Sequence, residues 1–361
     1  MIAAYVSGHG FGHVTRTVEV LRTVGEMEPG LPRALVTCAP ARLIRSALGQ
    51  GVAIRWEDCD VGLVQRDALA VDEDASLARW REFMKTWERR VTHEATWLRE
   101  IGAELVLGDV PPLAFAAAER AGLPGVALAN FSWDWIYRHA AACRPAFAEA
   151  AEWAADAYRR ATLLLRLPFA GDLSVFRRIE DVPLVARKPR ASRLEARRRL
   201  GLWAGPVVLW SFGGSGLAAF DATVLASLGE FLFVVSDEAP DLPPNVRFVD
   251  PGSLPGAGLG YVDLVAAADV VVTKLGYGIL SDALAARTAI VYTDRGDFPE
   301  HPILVRAAER LLPAVHVDNA DLFAGRIAPA LASALAQAWP APPALDGAQV
   351  VAARLLSMLG R

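Results

Sequence analysis

The sequence predicts an α/β protein built from two doubly wound parallel-sheet halves. Three observations carry this. Short apolar runs alternate with helical stretches along the chain, three glycine-rich loops each follow a strand and precede a helix, and the composition turns basic and helix-forming near Val185 to Ser192. At 361 residues the chain is too long for one ordinary core and fits two domains of about 150 to 200 residues each.

The first half opens with IAAYV and a helix TRTVEVLRTVGEM, then RALVTC with ARLIRSALGQG, then VAIRW. In SLARWREFMKTWERRVTHEATWLREIG, Trp80, Phe83, Met84, Trp87, Val91 and Trp97 recur at helical spacing, which predicts one long amphipathic helix with its aromatic residues in the core. ELVLGD, PLAFAAAERAG and GVALANF close the half. The second half reads GPVVLWSF, FDATVLASLG, EFLFVVS, NVRFVD, YVDLVAAADVVVTKLGYG, a helix and TAIVYTD, and the run Gly347 to Leu359 reads as a final helix. The predicted division is 1–185, 186–346 and 347–361.

Apolar residues make up 53%, charged residues 22%, and the net charge is −4, so the chain reads as globular, without the basic footprint of a nucleic-acid binder. Cys38, Cys59 and Cys143 form no CxxC pair, which argues against a disulfide framework and a zinc knuckle. The opening residues run straight into a strand and then glycines, and no apolar run reaches 18 residues. The expectation is a cytoplasmic protein with no transmembrane segment.

The three loops are SGHGFGH, SFGGSG and KLGYGILSD. Glycine there lets backbone N–H groups approach a ligand, and the following helix N-terminus favours an anion, so the loops point to a phosphate-bearing ligand. A dinucleotide site fits poorly: Gly8, Gly10 and Gly12 give GxGxG rather than GxGxxG, and ALVTCAP ends without the acid that would take a ribose hydroxyl. No GxxxxGK[ST] occurs. The six histidines contain no HExxH, His9 and His13 straddle a glycine loop, and the triplets Asp58–Asp60 and Asp72–Asp74 read as solvated loops, so no metal and no bound cofactor are expected.

GFGHVTR, Gly10 to Arg16, resembles the GxGHxxR loop of two-domain nucleotide-sugar enzymes, seen in UDP-sugar hydrolases of flagellin-sugar synthesis and more loosely in lipid-linked N-acetylglucosaminyltransferases. VSGHGFGHVTRTVEV, NFSWDWIY, LLLRLP, EDVPLVARKPRASRLEARRRLGL, KLGYGILSDALA and GAQVVAARLL extend the likeness over nearly the whole chain. They resemble the glycosyltransferase-like N-terminal half of plant L-arabinokinases and its free-standing bacterial relatives. The resemblance implies a GT-B fold: two Rossmann-like domains facing across a cleft, acceptor mostly in the first, nucleotide-sugar donor in the second, and a last helix crossing back to the first. The ATP loop of the kinase half has no counterpart, so arabinokinase activity is not carried over.

On the matched positions His13 is the candidate general base, or the group that orients water if the enzyme is a hydrolase; the alternative is a helix-capping histidine. Gly12, Arg16, Ser211, Gly213, Gly214 and Ser215 are expected around the donor phosphates. Gly276, Tyr277 and Gly278 resemble the second donor loop, with Ser281 and Asp282 on the helix it opens and Arg295 beyond the next strand. Asp282 stands where related transferases carry a ribose-binding glutamate. His9, Asp109, Asn130, Trp133, Asp134, Asp297 and Glu300 are the candidate sugar or acceptor contacts, with Asp294, Trp135 and Tyr137 beside them; interdomain packing is the alternative for Trp133 and Trp135. Three functions fit: a metal-independent glycosyltransferase using a nucleotide diphosphate sugar, a UDP-sugar first among these; a nucleotide-sugar hydrolase; or an inactive nucleotide-sugar-binding module.

Overall fold

The computed structural model describes residues 1–361 apart from 46, 47, 49, 50, 203, 204, 214, 215, 218, 219 and 237–241. It divides into two compact units. Unit 1 comprises Met1–Val64, Val71–Val185 and Ala344–Arg361; unit 2 comprises Gln65–Ala70 and Ala186–Pro343.

In chain order, unit 1 runs β1 (Ile2–Val6), α1 (Phe11–Met27), β2 (Arg33–Thr37), α2 (Arg42–Arg45) and β3 (Val52–Trp56). A small two-stranded sheet, β4 (Val64–Gln65) and β5 (Val71–Asp72), leads into α3 (Glu73–Met84) and α4 (Trp87–Glu100). There follow β6 (Leu105–Asp109), α5 (Pro112–Ala121), β7 (Gly125–Ala129), α6 (Trp133–Ala141), α7 (Phe147–Tyr158), β8 (Leu163–Arg166) and β9 (Ile179–Asp181). The main sheet has the order β3-β2-β1-β6-β7-β8-β9 and is parallel throughout. Every residue of β1, β2, β6 and β7 is buried, which is why these strands read as unbroken apolar runs rather than alternating ones.

Unit 2 contains α8 (Arg193–Leu200), β10 (Val207–Ser211), a 3-10 turn at Ala222–Ser227, β11 (Leu232–Val235), β12 (Val246–Phe248), α9 (Tyr261–Ala267) and β13 (Val270–Lys274). It continues with α10 (Tyr277–Ala286), β14 (Ala289–Thr293), α11 (His301–Leu311), β15 (Ala314–His316), α12 (Asn319–Phe323) and α13 (Ala328–Ala336). Its sheet, β12-β11-β10-β13-β14-β15, is again parallel. Alternate residues feed two cores: Val208, Trp210, Phe233 and Val272 face one side, Val207, Leu209, Val234 and Val271 the other.

Three details differ from the sequence reading. The predicted long helix is two helices, because Thr86 leaves helical geometry at φ −116° and begins α4, while Thr86 Oγ1 donates to Phe83 O at 3.2 Å. YVDLVAAADVVVTK is a helix and then a strand. The segment Gln65–Ala70, placed by sequence in the first half, belongs to unit 2: Ala68 is part of its core with Trp210 and Phe212, and Ala68 N–H donates to Gly216 O at 3.1 Å.

The last helix, α14 (Gly347–Met358), returns to unit 1 and packs on α1, burying Val351, Ala352 and Leu355 completely. Val185 and Asp346 form an antiparallel bridge at its start. No helix among the described residues is long and apolar enough to cross a membrane.

Candidate functional site

In parallel α/β sheets the loops at the carboxyl ends of the strands bind ligands, and the candidate residues of each unit lie there. In unit 1, β1 runs into Ser7, Gly8, His9 and Gly10. Gly10 caps α1 at φ +114°, a conformation that suits only glycine, and a Cβ on Gly8 would lie 2.2 Å from Cys38 Sγ. This tight entry places His13 in the first turn of α1, buried on the face turned to β6.

His13 Nδ1 is 2.9 Å from Oδ1 of Asp109, the last residue of β6. Asp109 is fully buried, and its other partners are Arg16 Nη2 at 2.6 Å on Oδ1 and Arg16 Nε and Thr17 Oγ1, both at 2.7 Å, on Oδ2. Burial pushes the Asp109 carboxyl up, but the charge of Arg16 and then His13 outweighs it and holds the group down at about 2. A carboxylate only accepts, so the pairing puts the imidazole proton on Nδ1 and leaves Nε2 with its lone pair. Arg16 Nη2 also stands 3.1 Å from Nδ1, but a protonated Nδ1 cannot accept from it. Among the described residues nothing hydrogen-bonds His13 Nε2; Phe131 lies edge-on to the ring at 5.2 Å between centroids.

Arg16 therefore does not stand ready for a phosphate. It is buried, with Nη1 donating to Asn130 Oδ1 at 2.7 Å. Asp109 and Asn130, expected as sugar contacts, are likewise closed off, because both are fully buried and serve Arg16 and His13. The residue after Asp109, Val110, sits at φ +82°, a strained conformation for a β-branched residue, and is held by Tyr158 Oη donating to Val110 O at 2.6 Å.

A second group surrounds Asp60, which the sequence reading left in a solvated loop but which is only 2% exposed. Asp60 accepts from Ser7 Oγ at 3.1 Å and Trp133 Nε1 at 2.8 Å, and His9 Nε2 lies 3.6 Å from its Oδ1 and 3.3 Å from its carbonyl. His9 and Trp133 thus meet, edge to face, while Tyr137 Oη donates to Gly62 O at 3.2 Å. Trp133 packs inside unit 1, and Trp135 covers Gly171 there. Asp134 points elsewhere: fully buried, it pairs with Arg138, and burial raises its carboxyl. It is not at the His13 loop. Asp72 of the other acidic triplet caps α3 through Ala75 N–H at 3.0 Å.

In unit 2 the adjacent strands β10, β13 and β14 bring their loops side by side, with Ser211 opposite Thr273 and Lys274 opposite Thr293. Ser211 Oγ pairs with Tyr261 Oη at 2.6 Å, and Gly213 is exposed at the loop; Gly214 and Ser215 lie outside the described residues. Gly276 caps α10, and Ser281 Oγ donates to Gly278 O at 2.9 Å, so that hydroxyl is turned into the helix. Asp282, expected at a ribose, is buried and engaged by Arg187, whose Nε is 3.1 Å from Oδ1. Arg295 Nη1 is 3.3 Å from Glu300 Oε2 and 3.5 Å from Leu275 O, with its guanidinium 3.9 Å from the Phe298 ring centre. Glu300 is thus a buried partner of Arg295, whereas Asp297 is exposed, and Asp294 pairs with His316 at 2.9 Å.

Sequence reasoning missed Lys274. It ends β13 beside Gly276, and its ammonium has no ion pair or hydrogen bond among the described residues; burial first, then Arg295, pushes it down to about 7 against the pull of Glu300 and Asp67. The signal was a lysine closing a strand of three valines and a threonine. Among the described residues no three His, Cys, Asp or Glu side chains gather as a metal-ligand set.

Two Rossmann-like units with these strand-end loops define a chain of the GT-B fold, the fold of known glycosyltransferases. Os79 from O. sativa, solved in complex with UDP, matches with TM-score 0.62 at 13% identity, covering 99% of each chain. CalG4, the calicheamicin glycosyltransferase, matches with TM-score 0.60 at 16% identity, over 100% of this chain and 98% of its own. In sequence the chain is similar to L-arabinokinase of Arabidopsis thaliana, 35% identical over 341 residues, which is 93% of this chain. It spans about a third (32%) of that protein's length. No protein-family model matches the chain.

Proposed function

We propose that the protein is a glycosyltransferase that takes its sugar from a nucleotide diphosphate sugar, with His13 as general base. The observation that carries this reading is the buried His13–Asp109–Arg16 network. It fixes the tautomer and the ring and leaves Nε2 able to accept a proton from a sugar hydroxyl. Asp109 stabilises the imidazolium formed when that proton arrives, and Arg16 keeps Asp109 ionised.

The donor is assigned to unit 2. Gly213, the N-terminus of α10 and the cations Lys274 and Arg295 at neighbouring strand ends supply backbone N–H groups and positive charge for a leaving diphosphate. Such a set neutralises the leaving group without a metal ion. UDP is the first nucleotide to test, since Os79 was solved with it. Water in place of the acceptor hydroxyl gives a hydrolase with the same base, a reading supported by the likeness of Gly10–Arg16 to the loop of UDP-sugar hydrolases.

A panel of nucleotide sugars, read first by thermal shift and then for release of nucleotide with and without acceptors in the presence of EDTA, tests the proposal. His13→Ala should lower turnover by about 10²- to 10⁴-fold while donor affinity is kept. Release that needs an acceptor marks a transferase, and release without one a hydrolase. A panel with no binder, or a His13→Ala variant with full turnover, overturns the reading.

A further inference from the structure

The loop that carries His13 holds a second histidine in the opposite tautomer. His9 Nε2 lies 3.3 Å from the Asp60 carbonyl and 3.6 Å from its carboxylate. Both oxygens only accept, so Nε2 carries the proton of the neutral ring and Nδ1 keeps the lone pair. The His9 backbone N–H donates to Ser7 Oγ at 3.2 Å, and among the described residues Nδ1 has no partner. The ring is held on three sides. Asp60, which also accepts from Ser7 Oγ and Trp133 Nε1, anchors the Nε2 edge; a Cβ on Gly62, at φ +60°, would lie 2.9 Å from both Cγ and Cδ2; and Trp133 stands edge-on at 6.5 Å between centroids. These contacts fall on Nε2, Cδ2 and Cγ and leave the Nδ1 edge of a side chain that is 17% exposed.

His13 brings its free nitrogen to the same loop. A Cβ on Gly10, the residue after His9, would lie 3.8 Å from His13 Cδ2, the carbon bonded to Nε2. One aromatic wall joins the two histidines: His13 meets Phe131 at 5.2 Å, Phe131 meets Trp133 at 5.3 Å and Trp133 meets His9 at 6.5 Å, each edge to face. Two imidazoles, set by Asp109 and Asp60 into opposite tautomers, thus each offer a lone pair at the end of β1. A base alone needs one hydroxyl, whereas two fixed acceptors suit a molecule that brings two. We propose that His9 Nδ1 accepts a hydrogen bond from a second hydroxyl of the acceptor substrate, which makes that substrate a polyhydroxylated compound, a sugar or glycoside, rather than a phenol or an alcohol with one hydroxyl. The assignment rests on the proposed function, in which His13 takes the proton of the reacting hydroxyl, and adds to it the class of acceptor. His9 takes no proton; it fixes which hydroxyl meets His13, with Asp60 as the positioning residue behind it. An acceptor without the second hydroxyl leaves Nδ1 unpaired and is selected against.

Two measurements on the full chain test this. Nitrogen-15 NMR at pH 8 should show His9 as the Nε2–H tautomer and His13 as the Nδ1–H tautomer, and methyl glycosides of pentoses and hexoses should shift His9 Nδ1 and His13 Nε2 together. In turnover assays with the donor found by the nucleotide-sugar panel, methyl glycosides should have a KM about tenfold below that of phenol or cyclohexanol, the effect of about one hydrogen bond. His9→Gln, whose amide reaches the Nε2 position but not Nδ1, should raise the glycoside KM about tenfold, more than it alters kcat, and should abolish the preference over phenol. His9→Asn, whose amide oxygen falls near Nδ1, should recover most of that loss. An Nδ1–H or doubly protonated His9, glycosides that move neither nitrogen, phenol used as well as a glycoside, or a glycoside KM unchanged in His9→Gln overturns the inference. The two failures are separable: with no turnover of any donor the proposed function falls, while the tautomers and the paired shifts still decide the inference. Glycosyl transfer that is lost in His13→Ala but indifferent to His9→Gln sinks the inference alone.

Discussion

A buried carboxylate can hold a histidine ring only if something pays its desolvation, and Arg16 does this for Asp109. Removing the carboxylate charge leaves the buried guanidinium of Arg16 without its counter-ion, so Asp109→Asn should cost about 3 to 5 kcal/mol, measured by urea unfolding at pH 7. The acid limb gives a second check. The Asp109 carboxyl lies at about 2 in the folded chain against 3.8 when unfolded, so its stabilisation is complete above about pH 4 and is lost as pH falls toward 2. The wild type should lose on the order of 2 kcal/mol over that window through this group, and Asp109→Asn should lack that component of the slope. His13 was distinguishable as a candidate because GFGHVTR is a local pattern. Its partners were not, since Asp109 and Asn130 lie 93 and 114 positions from Arg16 and nothing in their own neighbourhoods distinguishes a positioning carboxylate from a sugar-binding one. Asp60 was misread for the same reason: DCD looks solvated until Ser7 and Trp133 are folded onto it.

The strands and the helices between them were legible as elements, because burial on both faces of a parallel sheet writes continuous apolar runs between helical stretches. The α3–α4 break was not, since the aromatic spacing continues across Lys85 and Thr86 while the backbone departs from the helix at Thr86. At the far end of the chain α14 is fastened by its first residue. A Cβ on Gly347 would lie 2.2 Å from Pro183 O and 2.7 Å from Leu184 C, both backbone atoms that cannot swing away. Gly347→Ala should therefore destabilise unit 1 by about 1 to 3 kcal/mol, the range for forced overpacking, seen as a lowered melting temperature. A variant that melts with the wild type would show that α14 docks without that close approach.

At the scale of the whole molecule, a nucleotide that binds only the folded chain should raise its stability by mass action, about 2.7 kcal/mol at a ligand concentration one hundred times Kd. UDP is expected to do so, and the increment should shrink in Lys274→Gln; equal increments in the two proteins would remove Lys274 from the nucleotide site. Two sheets were predictable from the composition change near Val185. The membership of Gln65–Ala70 in unit 2 was not, because six residues carry no core pattern of their own and only Ala68 enters the core. The chain passes between the units four times, at 64/65, 70/71, 185/186 and 343/344. This interleaving has a consequence for biosynthesis. A nascent chain exposes Ala68 long before the strands of unit 2 exist to receive it, and α1 waits for α14 until residues 344–361 leave the ribosome. Unit 1 is therefore completed only after unit 2 has been synthesised.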